Sequence, residues 1–358
     1  MKRVLRMLPF LLGGILAGGA MGWCVASRAE SITDLLLAFA FLFAAYWAQI
    51  ILHEAGHLLA GLLTGYRFVS FRIGSLMLIK QGGRLRFARF SLAGTGGQCL
   101  LAPPPLQGTR YPCVLYHLGG SLMNLLCAAL AGLALYFAGY HPWRLGTLVA
   151  ALAMALTNGI PMRLGTVDND GRNALRSLRE EPVRMGFYRQ LQINAALAEG
   201  QRLGEMPEAW FDCAPGQERE CGYTRFQWML DKGEYQRARD YGQTLLNAGL
   251  LGLHRALLEN DLRSLALLSG ETPEEPSREL RQVMKAMAAN PAILRGRYVS
   301  ARLQDGGQQA EALRERFHRA VRAYPYPSDV QADIDLMRLA DEISDHTSAP
   351  ADEYRKKD

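Results

Sequence analysis

Two histidines and a glutamate lie close together in the segment His53-Glu54-Ala55-Gly56-His57, which has the pattern H-E-x-x-H. Residues four apart lie on one face of a helix, so His53 and His57 could bind the same metal ion. Glu54 lies beside that face, where its carboxylate could accept a proton from a water molecule activated by the metal. The same pattern also occurs on interior helices whose polar residues pair with their neighbours. The motif is typical of zinc-dependent hydrolases.

The apolar surroundings of the motif favour the catalytic interpretation. From Leu35 to Leu63 the only acidic residue is Glu54, and there is no lysine or arginine. The apolar run 35–65 exceeds the roughly 20 residues that a helix needs to cross a bilayer. Ionisable side chains are costly in such a segment and usually serve a function.

Charge divides the 358-residue chain into two unlike parts. Up to Val167 there are 13 basic and three acidic residues, whereas 27 basic and 31 acidic residues follow. This division predicts a membrane core over 1–170 and a water-soluble domain over 171–343, and residues 344–358 are predicted to form a disordered tail. The basic excess suggests lipid head groups and membrane topology, and nucleic acid is not an expected partner.

Four apolar runs predict about four transmembrane helices, over 4–26, 35–65, 111–140 and 145–160. The first run follows basic residues and could be a signal peptide, but it is longer than a usual signal core and is interpreted as a retained span. The basic segments then all fall on one side, and the positive-inside rule places that side in the cytoplasm. We therefore expect a multi-pass protein of the cell membrane, with its active site and C-terminal domain towards the cytoplasm.

Alternating residues in the segment 66–110 predict a β-hairpin around Gly82-Gly83. The segment holds seven basic residues and no acidic one, so we expect the hairpin to lie against the membrane surface. A solvated basic loop is the alternative.

The six cysteines show no C-x-x-C spacing, and we expect them to be reduced, without a disulfide framework or a thiolate zinc site.

Polar residues in the later apolar runs supply further candidates. Asn124 lies at membrane depth, where a buried amide needs partners, and it could order the zinc helix or hold a substrate backbone. A catalytic zinc takes three protein ligands, and the other histidines form no second pair. The third ligand is therefore expected to be a carboxylate, and the nearest ones are Asp168 and Asp170. Either aspartate could instead cap a helix.

Taken together, these motifs resemble the site-2 protease family of intramembrane zinc metalloproteases. Three elements match in order over about residues 30 to 175: H-E-x-x-H, Gly-Gly-x-x-x-Asn at 119–124, and Asn-x-x-Pro at 158–161 followed by Asp170-Gly171. The chain departs from the family pattern at Ser121, where proline is frequent. The gap between Asn158 and Asp170 is also longer than in the compact form of the motif.

The resemblance implies a role for each matching residue. His53, His57 and Asp170 would bind Zn²⁺, Glu54 would act as the general base, and Asn124 and Asn158 would position the substrate. The longer gap leaves Asp168 as a rival ligand. The implied reaction is hydrolysis of a peptide bond in a membrane-embedded or membrane-proximal protein or peptide.

Amphipathic patterns predict an all-α soluble domain over 171–343. The turn from Leu230 to Tyr235 resembles the turn within a tetratricopeptide-type repeat, and a looser match follows from Leu303 to Pro325. A generic helical bundle fits the same residues. Either form suits a domain that binds a protein partner.

The leading hypothesis is thus a membrane-embedded zinc protease with a helical adaptor domain. A catalytically inactive scaffold that presents a membrane peptide is the alternative, and a metal transporter is disfavoured because acidic residues do not continue through the other spans.

Overall fold

A computed structural model describes residues 18–19, 22, 25, 27–28, 30–90, 96–164, 167–213, 218–250, 252–304 and 309–348. Within these residues the protein is mostly helical, with twelve α-helices and a small antiparallel sheet. Most of the first predicted span, 4–26, lies outside the described residues. Contacts within the chain divide it into two units. The first comprises Met1–Arg67, Thr95–Cys99 and Pro104–Glu180, and the second comprises Phe68–Gly94, Leu100–Pro103 and Glu181–Asp358.

Four helices of the first unit carry the candidate site: α1 (Ile32–Leu63), α2 (Cys113–Ala138), α3 (Pro142–Gly159) and α4 (Asp170–Arg179). A capping box starts α1: the Asp34 N–H donates to Ser31 Oγ at 3.2 Å, and the Ser31 N–H donates to Asp34 Oδ2 at 3.0 Å. The helix ends at Leu63, and Gly65 follows with φ of 88°, a conformation that glycine adopts readily. Helices α1, α2 and α3 pack against one another.

Helices α1 and α2 are the two described helices that are long and apolar enough to cross a membrane. Their large apolar side chains remain largely exposed, for example Phe43 at 67% and Leu130 at 58%. Exposed apolar surface of this extent indicates contact with lipid or another apolar partner and supports membrane association. Helix α3 corresponds to the fourth predicted span but contains Arg144, Thr157 and Asn158, and it does not meet the same test.

The predicted hairpin belongs to a four-stranded sheet. Its strands are β1 (Arg67–Ile73), β2 (Leu76–Gln81), β3 (Arg84–Arg89) and β4 (Gly97–Ala102), in the spatial order β3-β2-β1-β4. Gly82 and Gly83 connect β2 and β3 with φ of 53° and 75°, as a two-residue hairpin turn requires. In the second unit, Met77 and Ile79 pack with Ala198. The residues 68–94 therefore group with the second unit and not with the rest of 1–170.

The second unit contains eight described helices: α5 (Glu181–Ala198), α6 (Glu218–Asp231), α7 (Tyr235–Asn247), α8 (Gly252–Leu268), α9 (Arg278–Ala286), α10 (Pro291–Leu303), α11 (Ala310–Ala323) and α12 (Gln331–Ser348). Helices α6 and α7 meet at the turn that the sequence indicated, and α10 packs on α11. Helix α4 belongs to the first unit, so the units divide between Glu180 and Glu181, ten residues after the predicted boundary.

Two expectations for the second unit need correction. The predicted disordered tail over 344–358 begins inside α12, because that helix continues to Ser348; residues 349–358 lie outside the described residues. The cysteines are not all reduced, since Cys213 and Cys221 form a disulfide with their Cα atoms 5.8 Å apart. Their spacing of eight residues along the chain gave no indication of this pair.

Candidate metal centre

Close contact between α1 and α2 brings the H-E-x-x-H face against the Gly119-Gly120 segment. A Cβ built on Gly119 would lie 2.7 Å from the Ala60 Cβ, so only glycine permits this approach of the two backbones. A Cβ built on Gly120 would lie 2.6 Å from Nε2 of both His53 and His57. The two glycines therefore have different effects: Gly119 permits the close approach of the helices, and Gly120 leaves space for the facing histidine nitrogens.

Asp170 reaches the histidines because Asn169 fixes the start of α4. The Asn169 side chain accepts from the N–H groups of Met162 and Arg172 and donates to the carbonyls of Thr157 and Ile160. These bonds hold the end of α3 and the start of α4 together. The short antiparallel strands β5 (Arg163–Leu164) and β6 (Val167–Asp168) lie between the two helices and account for the long gap between Asn158 and Asp170.

Three potential ligand atoms converge at this point. His53 Nε2 lies 3.0 Å from Asp170 Oδ2, His57 Nε2 lies 3.4 Å from the same oxygen, and the two nitrogens lie 3.1 Å apart. Ligand atoms bound tetrahedrally to zinc at about 2.1 Å would lie about 3.4 Å from one another. The three residues therefore fit a metal ion with little rearrangement, and they form a group that could hold one.

The hydrogen bonds on the side of each ring away from the site determine which ring nitrogen carries the proton. His57 Nδ1 lies 2.7 Å from the Tyr116 carbonyl, which can only accept, so Nδ1 carries the proton. Asn124 donates from its amide nitrogen to Gln49 Oε1 at 2.7 Å, which leaves Asn124 Oδ1 to accept from His53 Nδ1, also at 2.7 Å. With Nδ1 engaged in this way in each ring, Nε2 faces the carboxylate and is the nitrogen available to a metal ion.

Electrostatics in the site favour a cation among these atoms. Two nitrogen lone pairs and a carboxylate oxygen within 3.4 Å would repel unless a proton or a metal ion lies between them. Burial raises the pKa of Asp170, but hydrogen bonds that His53 and His57 donate when their Nε2 atoms are protonated outweigh burial and hold the pKa well below its ordinary value. The site thus favours the carboxylate form of Asp170, which is the form that binds a metal ion.

Asp168, the rival ligand, has other partners. Its carboxylate lies 3.0 Å from the Arg172 Nε and accepts from the Arg176 guanidinium at 3.1 Å. A third arginine, Arg163, lies 3.7 Å away. Asp168 thus contributes to an ion-pair network around the start of α4, while Asp170 contacts the histidines. Neither aspartate is the helix cap, since Asn169 occupies that position.

The two predicted substrate-binding asparagines have different surroundings. Asn124 is fully buried, and its amide nitrogen donates to both the backbone oxygen and the side-chain oxygen of Gln49. Asn158 donates to the Met154 carbonyl of its own helix at 3.1 Å. The structure therefore brings Asn124 to His53, whereas the bond of Asn158 stays within α3. Sequence reasoning missed Gln49, whose only signal is a polar side chain one helical turn before His53 on an apolar helix.

Glu54 lies next to the first residues of β4. A Cβ built on Gly97 would lie 2.8 Å from Glu54 Oε1, so the backbone of β4 passes directly over this carboxylate. The Tyr116 hydroxyl donates to the Cys99 carbonyl at 2.9 Å and ties the same strand to α2. Glu54, the general-base candidate on α1, thus faces a strand that the sequence did not assign to the site.

If the site holds a metal ion, replacing Asn124 by alanine is expected to weaken its binding by about 10- to 100-fold, because His53 loses the acceptor that fixes its ring. Asn158→Ala, the matched control on α3, removes only a bond within its own helix. Competition with a chelator measures both affinities. Equal affinities for the two variants would contradict an orienting role for Asn124.

No family model, curated protein or solved structure matches this chain.

Proposed function

We propose that the chain is an intramembrane zinc metallopeptidase that hydrolyses a peptide bond in a membrane-embedded or membrane-proximal substrate. The observation that carries this proposal is the convergence of His53 Nε2, His57 Nε2 and Asp170 Oδ2, three atoms that could ligate one metal ion. The two histidines lie on α1, a candidate membrane span, so the proposed site is within reach of peptides in the bilayer. The resemblance to site-2 proteases supports the same reaction.

In this proposal each residue has a separate task. His53, His57 and Asp170 hold the zinc, which supplies a Lewis acid and lowers the pKa of water bound to it to about 7. Glu54 accepts the proton of the attacking water and delivers it to the leaving amine. Asn124 orients His53, because both of its amide N–H groups are already donated to Gln49. Asn158 is proposed to contact the substrate.

Zinc content tests the ligand set. Purified wild-type protein in detergent is expected to hold about one zinc per chain, as a single three-ligand site predicts. Asp170→Asn removes the charged ligand and should lose the metal, whereas Asp168→Asn, two residues away, should retain it because Asp168 pairs with arginines. Atomic absorption after dialysis gives the stoichiometry. Loss of zinc only in Asp168→Asn would transfer the ligand role to Asp168, and wild-type protein unable to hold supplied zinc would refute the enzyme proposal.

We also propose four spans, with the site and the second unit towards the cytoplasm. The positive segments support this orientation. The Cys213–Cys221 disulfide argues for the opposite side, because disulfides persist mainly in oxidising compartments. A green fluorescent protein joined to the C-terminus should fluoresce, and alkaline phosphatase joined there should be inactive. An active phosphatase fusion would reverse the orientation and would agree with a permanent disulfide.

A further inference from the structure

The second unit contains an open cavity of about 310 Å³ among α8, α9, α10 and α11. Three arginines line it, Arg263 on α8, Arg297 on α10 and Arg316 on α11. Asn260, Ser264 and Ser300 also line it, although each already has a hydrogen-bond partner within the unit, and no acidic residue lines the cavity. We call it the arginine cavity. All of its lining residues belong to the second unit, so it is separate from the candidate metal centre.

The charge of the arginine cavity is not compensated within the described part of the chain. None of its three arginines lies within 4.0 Å of a described carboxylate oxygen; Arg316 donates to the Ala288 carbonyl. Other arginines of the same unit do pair with carboxylates. Arg295, next in sequence to the lining residue Gly296, pairs with Asp261 and Asp333 and is fully buried.

Further pairs confirm that contrast. Arg302 on α10 and Arg314 on α11 both pair with Asp341. The unit thus supplies carboxylates to structural arginines, while the cavity arginines have none. Three positive charges around one cavity repel one another, and a bound anion would remove that repulsion.

The shape and the remaining lining define the class of anion. Leu280, Met284 and Leu313 give the cavity an apolar wall beside its polar groups. The volume lies near the lower end of the range for small-molecule sites, roughly 300 to 1,000 Å³. Guanidinium groups match the oxygens of a phosphate with paired, charge-assisted hydrogen bonds. We propose that the arginine cavity binds the phosphate monoester of a small organic molecule, with the organic part against the apolar wall.

Calorimetric titration of the full chain in detergent tests the proposal with three probes: adenosine monophosphate, inorganic phosphate and adenosine. Adenosine monophosphate is expected to bind most tightly, and adenosine without its phosphate should not bind. Arg297→Gln and Arg263→Gln should each weaken binding by about tenfold or more, because a charge-assisted hydrogen bond is lost. Asp170→Asn should bind the probe as wild type does, since the metal centre is a different site.

A matched pair on α11 separates specific binding from general charge attraction. Arg316 and Arg319 are both exposed on this helix, but only Arg316 lines the cavity. Arg316→Gln should weaken binding and Arg319→Gln should not. Circular dichroism melting, expected to be unchanged in all variants, excludes unfolding as the cause.

Vesicles containing phosphatidic acid identify a lipid source of the same group. If the vesicles bind, Arg297→Gln abolishes that binding, and adenosine monophosphate does not bind, the phosphate site is supported and is assigned to a lipid head group. The proposal is overturned if no probe binds, or if Arg319→Gln weakens binding as much as Arg316→Gln.

Discussion

Glu54→Gln is expected to abolish peptide hydrolysis while the protein keeps its zinc. The carboxylate of Glu54 is not among the three converging ligand atoms, so its loss should leave the metal in place. Glutamine has almost the same shape but cannot accept a proton from water or return it to the leaving amine. General acid–base catalysis contributes roughly 10²- to 10⁴-fold, and we expect a loss of that order.

A panel of synthetic transmembrane peptides in detergent micelles provides the assay, with fragments identified by mass spectrometry and zinc measured on the same sample. Glu30→Gln is the matched control, because it makes the same chemical change at an exposed residue before α1. Removing zinc with a chelator and restoring it should abolish and restore cleavage in the control. Cleavage by Glu54→Gln at the wild-type rate would refute Glu54 as the general base, and zinc-loaded wild type that cuts no peptide would favour the inactive scaffold.

The local part of the site could be predicted from sequence because it depends on helix periodicity. The spacing of His53 and His57 requires only that α1 be a helix, and the structure places both rings on one face. The meeting with Asp170 could not be predicted from helix spacing, since 117 residues separate it from His53; it was expected from the need for a third ligand and from the resemblance. The choice between Asp168 and Asp170 depends on Asn169, whose cap starts α4 after Asp168 and leaves Asp170 as its first residue.

The rest of the site and of the fold depends on long-range contacts, which leave no pattern in the local sequence. The proton position on His57 is fixed by the Tyr116 carbonyl, and a backbone acceptor has no signature in the side-chain sequence. The strand β4 reaches Glu54 from a segment that was expected only to surround a hairpin. Long-range packing likewise groups most of the sheet with the second unit and pairs Cys213 with Cys221.

Gly120→Ala is expected to prevent metal binding without unfolding the protein. The new methyl group would lie 2.6 Å from Nε2 of His53 and of His57, closer than real carbon contacts allow. The rings are held from behind by Asn124 and by the Tyr116 carbonyl, so they cannot withdraw without breaking those bonds. Alanine also favours helix over glycine by about 0.5 to 1 kcal/mol, which offsets part of the strain in α2.

Gly132→Ala is the control on the same helix, because the nearest atom to its added methyl group, Leu148 Cδ1, is 4.0 Å away. We expect this variant to bind one zinc per chain as wild type does, whereas Gly120→Ala should bind at least tenfold more weakly in competition with a chelator, as expected for ligands forced out of position. Both proteins should retain wild-type helical content. Wild-type zinc affinity in Gly120→Ala would show that the metal, if bound, lies away from the two Nε2 atoms and would remove the geometric basis of the proposed centre.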